Sequence, residues 1–104
     1  MNLTQQEWVS QFEEDTNAVI LDVRTEDEWK EGIIPNAVMI DINKGQGFVY
    51  QIEELDNSKS YYIYCRSGVR SAKACEIMNE LGFGNTYNLL GGFMQWEGDV
   101  VFPE

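Results

Sequence analysis

The sequence predicts an α/β domain built around a mainly parallel sheet. Short runs of apolar and β-branched residues alternate along the chain with segments whose apolar residues recur at helical spacing. Strands that alternate with helices in this way pair in parallel, because each helix carries the chain back across the sheet. The 104 residues contain no internal repeat and no low-complexity linker, so we expect one domain spanning residues 1–104.

The first half of the chain contains two helix starts and one buried strand. Thr4 with Glu7 and Thr25 with Glu28 have the spacing of a capping box, in which the two residues satisfy each other's backbone N–H groups. Between them lies an apolar run broken only by Asp22, which is the pattern of a strand buried on both faces. We therefore expect helices at 5–14 and 26–31 and a strand at 18–23.

The second half predicts further strands and helices. Pro35 with Asn36 turns the chain before the next strand, and Gly45 with Gly47 marks a loop. Gly82 is placed to end a helix, since glycine adopts the left-handed conformation that often follows a last helical turn. The expected strands are 37–40, 61–64 and 86–90, the helices 49–56 and 70–81, the loop 43–47 and the final helical turn 93–97.

A cysteine stands where a predicted strand ends and a helix begins. The strand over 61–64 leads to Cys65, a loop containing Gly68 follows, and helical spacing starts near Arg70. The N–H groups of such a loop and of a helix start can point into one concavity and favour an anion. Arg66 and Arg70 carry forked cations that bind oxyanions. The pattern predicts an activated thiolate beside a small-anion site, and its alternative is an ordinary cysteine at a strand end.

Charge excludes some classes of partner. A formal net charge of −11 argues against nucleic acid or an anionic membrane, and no apolar run is long enough for a membrane span. Arg66, Arg70 and Lys73 nevertheless cluster around the loop, so a small anionic substrate fits there. The N-terminal residues lack the features of a signal peptide. We expect a cytoplasmic monomer whose two cysteines are free thiols.

The absence of histidine limits the chemistry. No Cys-His pair can form, so a catalytic cysteine must be activated by backbone N–H groups, arginine or a carboxylate. We expect neither a metal nor a cofactor, and we interpret the acidic cluster at 26–31 as solvated helix charge. Cys75 is expected in the core, with a resolving thiol as the alternative. Asp22 is expected to pair with Arg24 or with a loop amide.

Four sequence motifs resemble those of the rhodanese family of sulfurtransferases. They occur in the family's order and together span nearly the whole chain. Ile33 stands where the family usually carries a histidine. The motifs are Cys65-Arg66-Ser67-Gly68-Val69-Arg70-Ser71, Leu21-Asp22-Val23-Arg24 followed by Glu28-Trp29, Gly32-Ile33-Ile34-Pro35-Asn36-Ala37, and Gly91-Gly92-Phe93 with Trp96.

The resemblance implies a rhodanese-like fold, with about five strands and helices on both faces of the sheet. It also implies that Cys65 accepts sulfur from thiosulfate or a persulfide donor and passes it to cyanide or a thiol. The acceptor thiol would belong to a protein or to a small molecule. The residues that it implies for substrate binding are Arg66, Ser67, Gly68, Val69, Arg70 and Ser71.

Two alternative functions are also compatible with the sequence. Phosphatases and arsenate reductases of the same fold family need an arginine six residues after the cysteine. Here that residue is Ser71, because Arg70 comes one position early. The second alternative is a persulfide carrier that depends on a partner, or a redox or docking module, without small-molecule turnover. A carrier of this kind would have the same loop.

Overall fold

Strands and helices alternate along the chain, as the sequence predicts. The computed structural model describes residues 1–103. No helix in that range combines the length and the apolar character that crossing a membrane requires. The strands and α-helices are, in chain order, β1 (Asn2–Leu3), α1 (Gln5–Glu14), β2 (Ala18–Asp22), α2 (Glu26–Trp29), β3 (Val38–Met39), α3 (Gln46–Glu53), β4 (Ser60–Tyr64), α4 (Val69–Glu80) and β5 (Asn85–Leu89), with 3-10 turns at Ile42–Lys44 and Phe93–Gln95.

The sheet is parallel throughout the part of the chain that the structure describes. Its five strands pair in the order β1-β5-β4-β2-β3, which places β4 at the centre. Tyr64, the last residue of β4, lies opposite Asp22, the last residue of β2. The segments that follow these two strands therefore meet at the carboxyl edge of the sheet, where ligands of open parallel sheets collect.

Helices cover both faces of the sheet, because side chains alternate along the central strand. Tyr61 and Ile63 of β4 point into a core formed with α3 and α4. Tyr62 and Tyr64 point to the opposite face, where Trp8 of α1 packs edge-on against both rings. The tyrosines of this strand therefore serve packing, as the sequence predicts.

The structure differs from the predicted elements in several places. The sequence does not predict β1, since two residues carry no periodic pattern and the strand exists through its pairing with β5. The predicted strand 37–40 is reduced to β3, and the predicted helix 26–31 ends at Trp29. The predicted loop 43–47 is instead a 3-10 turn followed by the start of α3. Gly45, with a φ of 59°, separates the two.

Trp8 offers a test of the core on the α1 side. Its side chain is 1% exposed and contacts the rings of Tyr62, Tyr64 and Trp96. Trp8→Ala should lower the free energy of unfolding by about 3–5 kcal/mol, because it removes a large buried ring. Urea denaturation measures this change in the free energy of unfolding. Tyr50→Ala, at a side chain that is 62% exposed, should change it by less than about 0.5 kcal/mol. Equal losses in the two variants would contradict the assignment of Trp8 to the core.

Candidate active site

Cys65 lies directly after β4 and just before the N-terminus of α4, and it is fully buried. Three donors surround its sulfur. The N–H of Gly68 lies 3.1 Å from Sγ, the N–H of Ser71 3.4 Å and the Ser71 hydroxyl 3.3 Å. Gly68 precedes α4 with a φ of 102°, a left-handed conformation that glycine adopts without a Cβ clash. The predicted concavity of donors therefore forms around the sulfur itself.

These donors favour the charged form of the Cys65 thiol. Burial alone would raise the pKa of Cys65, because a charge is poorly solvated in the interior. The Ser71 hydroxyl and the N–H groups of Ser71, Gly68 and Ser67 outweigh burial, so that the pKa of Cys65 is lowered. In the core, burial raises the pKa of the Cys75 thiol. Both cysteines are free, and Cys65 is the more readily ionised of the two.

The two arginines of the loop are placed differently from each other. Arg70 donates both arms of its guanidinium to Glu28, at 2.7 and 2.8 Å. Arg66 is exposed, and none of the ion pairs found among residues 1–103 includes its side chain. Ser67 and Val69 are exposed as well. The predicted loop residues thus divide into two that contact the sulfur, Gly68 and Ser71, and a rim around them.

The turn after β5 holds the loop from its other side. The N–H of Phe93 donates to the carbonyl of Cys65 at 2.8 Å, and the N–H of Met94 donates to that of Arg66 at 3.0 Å. Gly92 has a φ of 58°, and a Cβ at this position would overlap the carbonyl groups of both loop residues. The loop and the turn can approach this closely because residue 92 is glycine.

A buried ion pair lies at the end of the neighbouring strand β2. The Arg24 guanidinium donates to the Asp22 carboxylate at 2.8 to 3.1 Å, and the Arg24 N–H also donates to it at 2.9 Å. Arg24 further donates to the carbonyl of Gly32 at 2.7 Å and lies 4.2 Å from the ring centroid of Phe93. The predicted pairing of Asp22 is therefore confirmed. The pair connects β2 with the segment after α2 and with the turn that supports the loop.

This arrangement can be compared with known proteins. Residues 5–99, which include the whole cysteine loop, match the family of rhodanese-like domains. The chain belongs to the rhodanese family. It is 40% identical over 89 residues to a putative sulfurtransferase of Bacillus subtilis, covering 86% of this chain and 82% of that one. It is 35% identical over 108 residues to a sulfurtransferase of Allochromatium vinosum, covering 100% and 98%.

Solved structures agree with the rhodanese assignment. A rhodanese-like domain protein from Staphylococcus aureus superimposes with a TM-score of 0.84 at 30% identity and covers 99% of this chain and 98% of its own. A rhodanese-related protein from Thermoplasma volcanium gives a TM-score of 0.81 at 28% identity and covers 98% of both chains. The predicted family, the α/β fold and the sulfurtransferase class are confirmed.

Two residues that contact the loop are not predicted as part of the candidate site from the sequence. Glu28 is expected as a helix-capping residue, as a member of the acidic cluster and within a family motif, but not as the partner of Arg70, which lies 42 positions away. Asn88 of β5 accepts a hydrogen bond from the Ser71 hydroxyl. A signal for Asn88 was available, because asparagine is depleted in strands and here stands inside the predicted strand 86–90.

Gly92 tests whether the close approach of turn and loop is required. Gly92→Ala should destabilise the protein, because it adds both a strained φ and a clash with backbone. The matched control is Gly45→Ala, where φ is 59° and nothing lies within 4 Å of the added Cβ. We expect the loss at position 92 to exceed that at position 45 by about 2 kcal/mol or more in urea denaturation. Equal losses would show that only backbone strain matters.

Glu28 generates a prediction about pH. Its hydrogen bonds with Arg70 lower the pKa of Glu28 from 4.5 to about 2, against the opposing effect of burial. A lowered carboxylate pKa stabilises the fold fully above about pH 4.5, and this stabilisation is lost as the pH falls towards 2. Glu28→Gln should therefore lower the free energy of unfolding at pH 7, by on the order of 2 kcal/mol, and flatten its dependence on pH between these values.

The control for this measurement is Glu26→Gln, at an exposed carboxylate on the same helix. Chemical denaturation at a series of pH values compares the two variants with the wild type. We expect the Glu26 variant to keep the wild-type slope. A Glu28 variant with the same slope would mean that the ion pair with Arg70 does not form in solution.

Proposed function

We propose that Cys65 accepts a sulfur atom from thiosulfate or another sulfane donor and holds it as a persulfide. The observation that carries this proposal is the buried sulfur surrounded by donors from Gly68 and Ser71. Such donors stabilise the thiolate, which is the nucleophilic form of cysteine. A relative 35% identical over 79 residues, the thiosulfate sulfurtransferase of Coxiella burnetii, supports thiosulfate as the donor.

The proposed reaction has two steps, neither of which needs a histidine. In the first, the Cys65 thiolate attacks the outer sulfur of thiosulfate, so that an Sγ–S bond forms. The S–S bond of thiosulfate breaks, and sulfite leaves with its electron pair. In the second, cyanide or a thiolate attacks the outer sulfur of the persulfide, and Cys65 leaves as a thiolate. The charge on the outer sulfur of the intermediate suits a loop whose backbone N–H groups point inward.

The rim residues are proposed to bind the oxyanion of the donor. Arg66 is exposed and unpaired among residues 1–103, so its fork can meet a sulfonate group directly. Arg70 contributes positive charge close to the sulfur, but Glu28 occupies its two arms. Ser67 and Val69, which are both exposed, complete the proposed contact surface. We therefore expect Arg66 to contribute more than Arg70 to donor binding.

A protein thiol as acceptor has a specific observation in its favour. Three apolar side chains around the loop are exposed. Val69 belongs to the loop, the Met94 N–H donates to the Arg66 carbonyl, and Leu90 lines the same surface cavity as Ser67. Exposed apolar groups beside a reactive centre are typical of surfaces that meet a protein partner. The exposed fractions of these three residues are 75% for Val69, 60% for Met94 and 44% for Leu90. Comparing the transfer rates to a protein thiol and to cyanide would separate a carrier that depends on a partner from an enzyme with small substrates.

Two further expectations belong with this proposal. We propose that residues 1–104 act as one rhodanese-like domain, which the shared sheet beneath both core clusters supports. We also propose that the protein works in the cytoplasm. Two buried free thiols, one of them with a lowered pKa, support a reducing compartment.

The two cysteines provide a matched pair of variants for the test. After treatment with thiosulfate, mass spectrometry should show one added sulfur atom on the wild type, which cyanide removes. Cys65→Ala should gain no sulfur and should lose transfer to cyanide down to the uncatalysed rate, because the nucleophile is absent. Cys75→Ala should behave as the wild type, since Cys75 is a core residue.

Three results would contradict the proposed function. A wild-type protein that gains no cyanide-labile sulfur, or a Cys65→Ala variant that still gains it, would exclude the proposed role of Cys65. Hydrolysis of an aryl phosphate that depends on Cys65 would favour the phosphatase alternative, despite the position of Arg70.

A further inference from the structure

The hydroxyl of Ser71 lies between two acceptors and carries only one proton. Its oxygen is 3.3 Å from Cys65 Sγ and 2.5 Å from Asn88 Oδ1. A hydroxyl donates one hydrogen bond at a time, so it cannot serve both acceptors at once. Ser71 is 0% exposed and Asn88 1%, and a buried acceptor left without a donor is costly. The two acceptors therefore compete for one proton.

The orientation of the Asn88 amide is fixed by its other contacts. Its Nδ2 lies 3.1 Å from the carbonyl of Gly68 and 3.0 Å from Asn2 Oδ1. The carbonyl of Gly68 can only accept, so the amino group of Asn88 must face it. Asn88 Oδ1 therefore faces Ser71 as an acceptor, and the competition with the sulfur is built into the fold.

We propose that the Ser71 hydroxyl is a switch that donates to Cys65 Sγ while the sulfur is a thiolate and turns to Asn88 Oδ1 when the sulfur becomes neutral. Sγ becomes neutral when it is protonated, and also when it binds a second sulfur atom. The persulfide half of the switch rests on the proposed function, whereas the half that concerns protonation does not. Asn88 is then a positioning residue that acts on the sulfur through Ser71.

The switch involves rotation and no transfer of a proton. When the Sγ–S bond forms, the negative charge moves to the outer sulfur and sulfite leaves with its electron pair. Sγ is then a divalent neutral sulfur, which is a weak acceptor. The Ser71 proton stays on its oxygen and turns to Asn88 Oδ1, which now receives a full hydrogen bond. Asn88 thus favours the persulfide over the thiolate, and it does so without touching the substrate.

The charged groups around Cys65 are the same in both settings of the switch. They are the Arg70–Glu28 pair, which joins α4 to α2, the Asp22–Arg24 pair after β2, and the exposed Arg66 next to Cys65 in the loop. Variants at Ser71 and Asn88 leave all five groups in place, so these variants report the hydrogen bonds rather than a change of charge.

A double-mutant cycle tests the proposal. The pH dependence of alkylation of Cys65 by iodoacetamide, followed on its peptide by mass spectrometry, gives the thiol pKa in each variant. Ser71→Ala should raise it by roughly half to one pH unit, the effect of one lost hydrogen bond to the thiolate. Asn88→Ala should lower it by a similar amount, because the hydroxyl is freed for the sulfur. In the Ser71→Ala background, Asn88→Ala should leave the thiol pKa unchanged.

The cycle separates the switch from a merely structural role of Asn88. Loss of the Gly68 contact would act equally with and without the Ser71 hydroxyl, so equal effects of Asn88→Ala in both backgrounds overturn the proposal. A rise of the thiol pKa in Asn88→Ala that depends on Ser71 overturns it too. Asn2→Ala, which removes only the outer contact of Asn88, should leave the thiol pKa unchanged. If Asn88→Ala does not fold, Asn88→Val removes the acceptor, fills more of the space and should act in the same direction.

A second measurement covers the persulfide. Cys65 loaded with sulfur from thiosulfate should release it to cyanide about 3 to 10 times faster in Asn88→Ala than in the wild type, the effect of one hydrogen bond. An unchanged or slower release overturns that half of the proposal. Alkylation requires no sulfur donor, so it judges the switch even if Cys65 never forms a persulfide. Failure of the proposed function and failure of the switch are therefore distinguishable.

Discussion

A negative charge placed on a buried sulfur must be surrounded by hydrogen-bond donors, and this constraint organises the centre of the protein. Cys65 is fully buried, and its neighbours supply N–H and O–H groups at 3.1 to 3.4 Å. Those donors converge only if the chain turns sharply after β4 and starts α4 at once, which the left-handed Gly68 permits. A strand, a loop and a helix follow one another at the carboxyl edge of the sheet. Stabilising a buried thiolate requires this arrangement, and so does the fold.

The loop that meets this constraint is held by elements from far along the chain. The turn after β5 approaches from one side and donates N–H groups to the carbonyls of Cys65 and Arg66. The guanidinium of Arg24 contacts the ring of Phe93 in that same turn and is itself anchored by Asp22. The positions of the residues in the cysteine loop are therefore determined by the packed segments behind it. Rigid support of this kind is what keeps a set of donors aligned on one atom.

The features predictable from the sequence are those with a local cause. The capping boxes at Thr4 and Thr25, the buried strands and the placement of Cys65 before a helix all follow from residues within a few positions of one another. The pairing of Glu28 with Arg70 and that of Asn88 with Ser71 depend on elements brought together by the sheet, so no spacing in the sequence reveals them. The expected binding of an oxyanion by both Arg66 and Arg70 shows the same limit, since the residue type gives the charge of Arg70 but does not reveal its pairing with Glu28.

The edges of the sheet bear on how the protein behaves when it is concentrated. Within the residues that the structure describes, the edge strands β1 and β3 contain only two residues each. A strand edge is a template on which other chains can add, and a very short edge offers few unpaired N–H and C=O groups for growth into an aggregate. Val38 and Met39 are partly exposed there, but the strand ends before a longer ladder can form. With a net charge of −11 repelling further copies, the fold limits edge-to-edge polymerisation by its geometry and by its charge.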